Sequence, residues 1–144
     1  MHVLENAFPY LEDAGRDRLL EHARQEEYPV DAVIVAEDSR PEALFVLLRG
    51  RAAVAKDHLG VPIPIGEVRP GELFGEVSYL DGSPASASVV AREPATVLVL
   101  SDVDTLLDGA PELAPGFYRS LAASLARRLR YSADDRVAVG FLWG

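Results

Sequence analysis

The residues that are best suited to bind a ligand lie between positions 70 and 91, where a glycine precedes a carboxylate and several serines follow. Phe74-Gly75-Glu76 leads into a short apolar run at 77–80, which predicts about one turn of helix. The unpaired amide groups at the beginning of a helix attract anions, and Gly75 lets the backbone approach a ligand closely. The segment therefore predicts an anion site that begins near residue 75.

The same segment resembles the phosphate cassette of the cyclic nucleotide-binding domain family. In that family the cassette reads Phe-Gly-Glu, then a short apolar helix, then Pro-Arg-Ala/Ser/Thr-Ala-Ser/Thr-Val; residues 74–76, 77–80 and 84–89 stand in those places here. The resemblance extends over about residues 3–134 and implies a cassette at 72–89. The ligand-binding residues that it implies are Phe74, Gly75, Glu76, Val77, Ser78, Ala85, Ser86 and Ala87.

The resemblance also implies the ligand, which would be cyclic AMP (cAMP) or cyclic GMP (cGMP). The beginning of the cassette helix would hold the cyclic phosphate through its amide groups and its dipole. Glu76 would accept a hydrogen bond from the ribose 2′-hydroxyl, and Ser86 would add a contact beside the phosphate. No cofactor, metal ion or catalytic residue is implied.

One position departs from the family pattern, because Ala85 stands where the cassette has its arginine. Loss of one partner from a buried charge-assisted pair typically costs about 2–5 kcal/mol, which is roughly 30- to several-thousand-fold in affinity. We therefore expect any cyclic nucleotide to bind weakly. Arg69 and Arg92 are candidates to replace the missing cation, although nothing in the spacing demands it.

The cassette residues also have simpler interpretations. Glu76 can cap or hydrogen-bond the amide groups of a structural turn. Ser86 and Ser88 can be ordinary alternating residues of a strand. Gly75 can serve the backbone conformation alone, whatever binds there.

Three classes of function remain open. The first is a regulatory module that senses a small anionic ligand and shifts its C-terminal helix. The second is a ligand-free relative, marked by the absence of arginine at Ala85, that serves dimerisation or docking of a protein partner. The third, an enzyme of the cupin type, ranks last because no nucleophile–base pair or paired carboxylates stand near the cassette; we expect no enzymatic activity.

The composition narrows these classes further. The chain has 144 residues, no cysteine and three histidines, which excludes disulfides and thiolate metal sites. Its net charge of −9 argues against broad binding to a phosphate backbone. No apolar run approaches the ~20 residues of a membrane span, and the N-terminus lacks a signal-peptide core, so we expect a cytoplasmic protein. The single lysine, Lys56, stands among 13 arginines, and we interpret this bias first as a property of the genome.

The elements around the cassette predict a mainly β fold with flanking helices, a β-roll or jelly roll of the double-stranded β-helix type. Many short β-rich runs separated by turn residues are typical of such folds. We expect one domain over 1–144. Its predicted parts are an N-terminal helical segment 1–28 with a helix over 8–26, the β-roll 29–100, C-terminal helices 101–134 and an aromatic tail 135–144.

Local patterns add detail to the β-roll. Arg49-Gly50 predicts a tight hairpin, and residues 69–72 fit a type II turn. Prolines between the apolar residues of 61–65 predict an edge strand. We expect the inward side chains of that strand to be Val61, Ile63 and Ile65. Family glycines before the first strand and after it correspond to Asp31 and Asp38, and aspartate tolerates left-handed backbone better than most residues.

The C-terminal third predicts helices. Ser101 and Asp104 resemble a capping box, and Gly109 ends that short helix before Pro111 begins the next. An apolar stripe follows with a four-residue spacing. Its members are Leu113, Phe117, Leu121, Leu125 and Leu129. Arginines outside the stripe suggest a solvated helix end rather than a nucleic-acid surface; they are Arg119, Arg127, Arg128 and Arg130.

This last helix raises the question of partners. In the family it dimerises and covers the base, so we expect a homodimer through the C-terminal helix. Phe141-Leu142-Trp143 could stack on a purine, pack on a second subunit or pack on the chain's own barrel. About ten residues follow 131–134, which leaves no room for a helix-turn-helix, so we expect no DNA binding by this chain.

Overall fold

The computed structural model describes residues 1–135. Its helices and strands, in chain order, are α1 (Asp13–Glu21), β1 (Ala23–Tyr28), β2 (Val33–Val35), β3 (Leu44–Arg49), β4 (Ala52–His58), β5 (Val61–Val68), β6 (Leu73–Phe74), α2 (Glu76–Asp81), β7 (Ser88–Ala91), β8 (Ala95–Leu100), α3 (Val103–Gly109), a 3₁₀ turn (Pro111–Leu113) and α4 (Ala114–Asp135).

Two antiparallel sheets of four strands each form a roll in the described part of the chain. The strand orders are β1-β8-β3-β6 in the first sheet and β2-β7-β4-β5 in the second. Inward side chains of both sheets form one apolar cluster between them. The predicted jelly roll with flanking helices is confirmed.

The central strand β3 explains why residues 44–47 are apolar without alternation. Phe45 and Leu47 face the second sheet and belong to the cluster between the sheets. Leu44 and Val46 point to the other side, where they pack in a second cluster with the helices. A strand that is buried on both faces has a continuous hydrophobic sequence.

The helices cover the outer face of the first sheet. Phe117 of α4 stacks on Phe8 with the ring centroids 5.7 Å apart, and Leu121 is buried in the same cluster. Each large apolar side chain that is fully buried stabilises the fold by about 1.5–3 kcal/mol, so these contacts fix the first half of α4 against the sheet. None of the helices in residues 1–135 combines the length and the hydropathy that crossing a bilayer would require.

The predicted helix over 8–26 is wrong at both ends, because residues 8–12 are not helical and the helix stops before residue 23. Helix α1 covers only Asp13–Glu21, and residues 23–28 form β1, which pairs with β8 along its whole length. The sequence at 24–27 favours a helix by propensity. Backbone pairing with the buried strand β8 outweighs that preference, because strand formation depends chiefly on the neighbouring strand.

The predicted hairpin at Arg49-Gly50 is also wrong. Strand β3 ends there and β4 follows at once, but the two strands belong to different sheets. The turn therefore carries the chain from one sheet to the other. A local turn pattern cannot distinguish these outcomes, since the turn residues are the same and only the distant pairing partners differ.

Strand β5 is an edge strand, as predicted, but two of its apolar side chains do not point into the core. Val61 is 55% exposed and Ile63 is 43% exposed, whereas Ile65 is half-buried. Val61 pairs with His58 at the tip of the β4–β5 hairpin. At this tip the residues of both strands are exposed. Alternate side chains there have no apolar layer against which they could pack.

Two predictions about turns had opposite outcomes. The type II turn at 69–72 is confirmed, since Gly71 has φ +89° and the last residue donates its amide to the carbonyl of the first at 3.0 Å. The capping box of Ser101 and Asp104 is wrong, because α3 has no side-chain cap. Ser101 instead accepts a hydrogen bond from β1, and Asp104 accepts one from α2.

A left-handed residue, Gly75, separates β6 from α2. Its φ is +87°, and a Cβ added there would lie 2.9 Å from Cδ2 of Phe45. Gly82 ends the same helix with φ +72°, and a Cβ there would have no atom within 4 Å. The two glycines share the backbone constraint but differ in the space around them.

Gly75→Ala should therefore destabilise the protein more than Gly82→Ala. The left-handed backbone alone costs an L-residue about 1–2 kcal/mol, and the contact with Phe45 adds overpacking of about 1–3 kcal/mol. Equilibrium unfolding in urea measures both variants. Equal losses of unfolding free energy would contradict the close approach at Gly75.

Candidate functional site

The cassette begins where β6 joins the central strand of the first sheet. Phe74 pairs with Phe45 across the two strands, and their rings stack with centroids 5.2 Å apart. Gly75 then turns the chain left-handed, and α2 begins at Glu76. The helix predicted near residue 75 is thus confirmed, and it is anchored through an aromatic pair to the interior strand β3.

The carboxylate of Glu76 is completely buried. Its Oε1 lies 2.7 Å from Nη1 of Arg128 and accepts a hydrogen bond from the Ser124 hydroxyl at 3.1 Å. Arg128 also donates to the carbonyl of Leu73. Two residues of α4 therefore hold both the side chain and the backbone at the beginning of the cassette helix.

Burial and pairing act against each other on these two charged groups. Burial is the largest effect on the pKa of the Glu76 carboxyl and raises it, while the guanidinium of Arg128 acts to lower it. Burial likewise lowers the pKa of Arg128, and Glu76 opposes that change. A buried ion pair needs close geometry to offset its desolvation, and the 2.7 Å contact provides it.

The second carboxylate oxygen of Glu76 has no such partner. Oε2 is buried and accepts no hydrogen bond from the residues that the structure describes. A buried polar atom without a hydrogen-bond partner lowers the stability of the fold by about 1–3 kcal/mol. Such atoms are rare in native structures and often mark a functional site. A hydroxyl donor on a bound molecule would supply the missing hydrogen bond.

These contacts bear on one of the earlier interpretations of Glu76. It is not a cap, since α2 begins after Gly75 without any side-chain cap. The interpretation of the arginines of α4 as a solvated end is wrong for Arg128, which is buried, while Arg127 and Arg130 are exposed. The signal for Arg128 was its spacing: it lies seven residues, or about two turns, after the buried Leu121.

The second half of the cassette lies against the loop after β2. Ala85 is buried; its amide donates to Ser39 O and its carbonyl accepts from Asp38 N, both at 2.8 Å. Ala85 and Ala87 share the inter-sheet cluster with Phe74, so these three candidate residues come together. Asp38 has φ +67°, as expected for a residue that replaces a glycine; Asp31, at φ +70°, is the second such position.

The arginines considered as replacements for the missing cation are engaged elsewhere. Arg69 has a 73% exposed side chain near Glu67. Arg92 lies 3.4 Å from Asp31, and it follows the end of β7, whereas Ser86 precedes the beginning of that strand. A cation that contacts the cassette at Ser86, and that the sequence analysis did not connect with the site, is Lys56.

The remaining candidates lie on the outer side of α2 or beyond the described residues. Val77 and Ser78 are half-buried. Val77 lines an apolar groove with residues of α4, and the Ser78 carbonyl accepts the amide that closes α2. The aromatic tail at 141–143 lies outside the described residues, so the predictions about it stay predictions.

Known proteins resemble this chain in sequence and in structure. A family model described as the cyclic nucleotide-binding domain matches residues 25–106. The cyclic AMP receptor protein of Thermus thermophilus is 36% identical over 117 residues, which are 79% of this chain and 52% of that protein. A cAMP-dependent protein kinase regulatory subunit of Aspergillus niger is 36% identical over 73 residues, 51% of this chain and 17% of the relative.

The same likeness extends to three dimensions. The crystal structure of a cyclic nucleotide-binding domain from Methylobacillus flagellatus matches with a TM-score of 0.86 at 28% identity, over 97% of this chain and 84% of the other. This chain spans about half the length of the Thermus receptor and a smaller part of the Aspergillus subunit. The likeness therefore concerns part of those longer proteins.

Arg128→Met should lower the free energy of unfolding by about 3–5 kcal/mol, because it leaves the Glu76 carboxylate buried without its cation. Urea denaturation followed by circular dichroism measures the loss. Arg127→Met is the matched control; its exposed side chain predicts a change within about 0.5 kcal/mol. Equal stability of the two variants would mean that the buried pair does not hold α4 to the cassette.

Proposed function

We propose that this chain, which belongs to the cyclic nucleotide-binding domain family, is a non-enzymatic regulatory module that binds a cyclic nucleotide weakly at the cassette. The observation that carries the proposal is the buried Oε2 of Glu76, an acceptor without a partner among the described residues. In the family, the glutamate at this position of the cassette accepts a hydrogen bond from the ribose 2′-hydroxyl of the nucleotide. The hydroxyl would supply a donor to this buried acceptor, which has no partner among the described residues.

The ligand to test first is cyclic AMP, with cyclic GMP as the second choice. Relatives named for cyclic AMP include the Thermus receptor and the Aspergillus kinase subunit. The cassette of this chain keeps the glycine, the glutamate and a serine at Ser86, and lacks only the arginine at Ala85. No cofactor is part of the proposal.

A signal would pass from the cassette to α4 through the buried pair. Glu76 lies on α2, and its partners Ser124 and Arg128 lie on α4. A hydroxyl that donates a hydrogen bond to Oε2 would stabilise the carboxylate and change the strength of its pairing with Arg128, and thus the free energy with which α4 is held. The module would report the nucleotide as a change in the position or rigidity of this helix.

A second candidate function is a ligand-free interaction domain, and Ala85 favours it. Its side chain carries no charge for a phosphate and is buried in the inter-sheet cluster. In that case the jelly roll would serve dimerisation or the docking of a protein partner. The two candidates differ in one measurable property, the affinity for a cyclic nucleotide.

A homodimer through α4 is part of the proposal in either case. An apolar groove of about 290 Å³ runs between α2 and α4. It is lined by Val77, Leu80, Asp81, Leu125, Ala126 and Leu129. Leu129 is 57% exposed and Leu80 is 44% exposed, and a symmetric contact would bury the same groove on both copies.

Isothermal titration with cyclic AMP should give a Kd of about 10 μM to 1 mM. The cassette keeps Glu76 and the amide groups at the start of α2, but it lacks the arginine that would bind the phosphate with two hydrogen bonds. Cyclic GMP is titrated in parallel, and adenosine serves as the control without a phosphate. Ala85→Arg should tighten the binding of cyclic AMP by at least tenfold. Absence of binding by both nucleotides at millimolar concentration would favour the ligand-free domain.

Leu129→Glu should convert a dimer into a monomer, because it places a carboxylate in the middle of an apolar contact. Light scattering after gel filtration measures the mass of each variant. Arg130→Glu, at the exposed neighbouring position, is the control for the change of charge alone. A monomeric wild-type chain, or an unaffected Leu129→Glu dimer, would remove this interface from the proposal.

A further inference from the structure

The single lysine of the chain lies on the inner face of the roll, beside the cassette. Strand β4 pairs with β7 so that Val54 faces Val89 and Ala55 faces Ser88. Side chains alternate along a strand, so Lys56 lies on the same face as the buried Val54 and next to the strand end where the cassette enters β7.

The contacts of Lys56 tie it to the residue that follows Ala85. Its Nζ donates a hydrogen bond of 2.7 Å to the carbonyl of Ser86. The nearest carboxylate is Glu37, whose Oε2 lies 3.8 Å away. Oε1 of Glu37 is occupied separately, since it accepts the amide of Asp57 at 2.8 Å.

This arrangement leaves the ammonium group able to bind an anion. A lysine ammonium has three N–H donors, and the carbonyl of Ser86 takes one of them. The ion pair with Glu37 is longer than a hydrogen bond. The Lys56 side chain is 38% exposed, so its four-carbon stem can turn toward a ligand without opening the core.

We propose that Lys56 supplies the cation for the cyclic phosphate that the cassette lost at Ala85. The inference rests on the proposed function, because it assumes that a cyclic nucleotide binds at the cassette. In place of an arginine fork from the cassette itself, a point charge reaches in from the neighbouring strand β4. The ammonium group of Lys56 lies at the carbonyl of Ser86, and the family resemblance places the cyclic phosphate beside Ser86.

The other cations of this region do not compete for the role. Arg40 donates to the carbonyl of Gly82, which lies at the far end of α2, six residues and about 9 Å from the beginning of the helix. Arg92 pairs with Asp31 at the other end of β7. Arg128 is held by Glu76 and Leu73.

Glu37 tunes the proposed cation. Its carboxylate lies close enough to attract Lys56 and would repel a phosphate in the same place. A glutamine at 37 keeps an oxygen that can accept the amide of Asp57 but removes the charge. Removal of that charge should therefore tighten the binding of cyclic AMP, an effect opposite to that of removing Lys56.

The test is a titration of cyclic AMP into the wild-type chain and matched variants. Lys56→Met should weaken binding about 10- to 100-fold, the range for a hydrogen bond to a charged group, and Lys56→Arg should stay within about threefold. Glu37→Gln should tighten binding severalfold. Arg92→Met is the control, since Arg92 has a similarly exposed side chain (41%) and a carboxylate partner, and it should change nothing.

The outcomes separate this inference from the proposed function. If the wild-type chain binds cyclic AMP and Lys56→Met binds it equally well, the role of Lys56 is overturned and the proposed function stands. If the wild-type chain binds no cyclic nucleotide at millimolar concentration, the proposed function fails first and this inference with it.

Two further variants keep the inference testable if Lys56→Met does not fold. In the wild-type background Glu37→Gln must tighten binding; unchanged or weaker binding overturns the role of Lys56. Ala85→Arg combined with Lys56→Met must recover the affinity that Lys56→Met loses, because the two cations would serve the same phosphate. A double variant that stays as weak as Lys56→Met would also overturn it.

Discussion

The buried ion pair between Glu76 and Arg128 is the constraint on which the site depends. Both groups are almost completely removed from water, and taking an ion out of water costs several kcal/mol. That cost is offset only while the 2.7 Å contact is kept. The pair therefore fixes the distance between the cassette and the second half of α4, whereas apolar packing of Phe117 and Leu121 fixes the first half.

The part of the fold that local chemistry determines could be predicted from the sequence. The turn at 69–72 and the helix after Gly75 depend on residues that are neighbours in the chain. The positions Asp31 and Asp38 came from the family resemblance, and their amides bond to distant residues. What could not be predicted depends on distant partners. Strand β1 forms because β8 lies beside it, against the helix propensity of its own residues.

The site shows the same division. The resemblance identified Glu76, but its partner Arg128 lies 52 residues further on, and only the packing of α4 brings them together. Lys56 carries no motif, and its contact with Ser86 depends on the register of β4 against β7. A lysine is also a point charge without the fixed fork of an arginine, so its role depends on position rather than on a sequence pattern.

The energetics of the pair bear on the choice between a ligand-binding and a ligand-free domain. Replacing a buried ion pair by well-packed apolar residues is often neutral or stabilising by about 1–4 kcal/mol. A domain that served only to dimerise could hold α4 equally well with apolar residues in place of the pair, and it would avoid the cost of an Oε2 that accepts no hydrogen bond from the described residues. A carboxylate in this position is useful when a donor arrives from outside the chain. The physical chemistry of Glu76 therefore favours a ligand with a hydroxyl group, and Lys56 beside Ser86 favours one that also carries a negative charge.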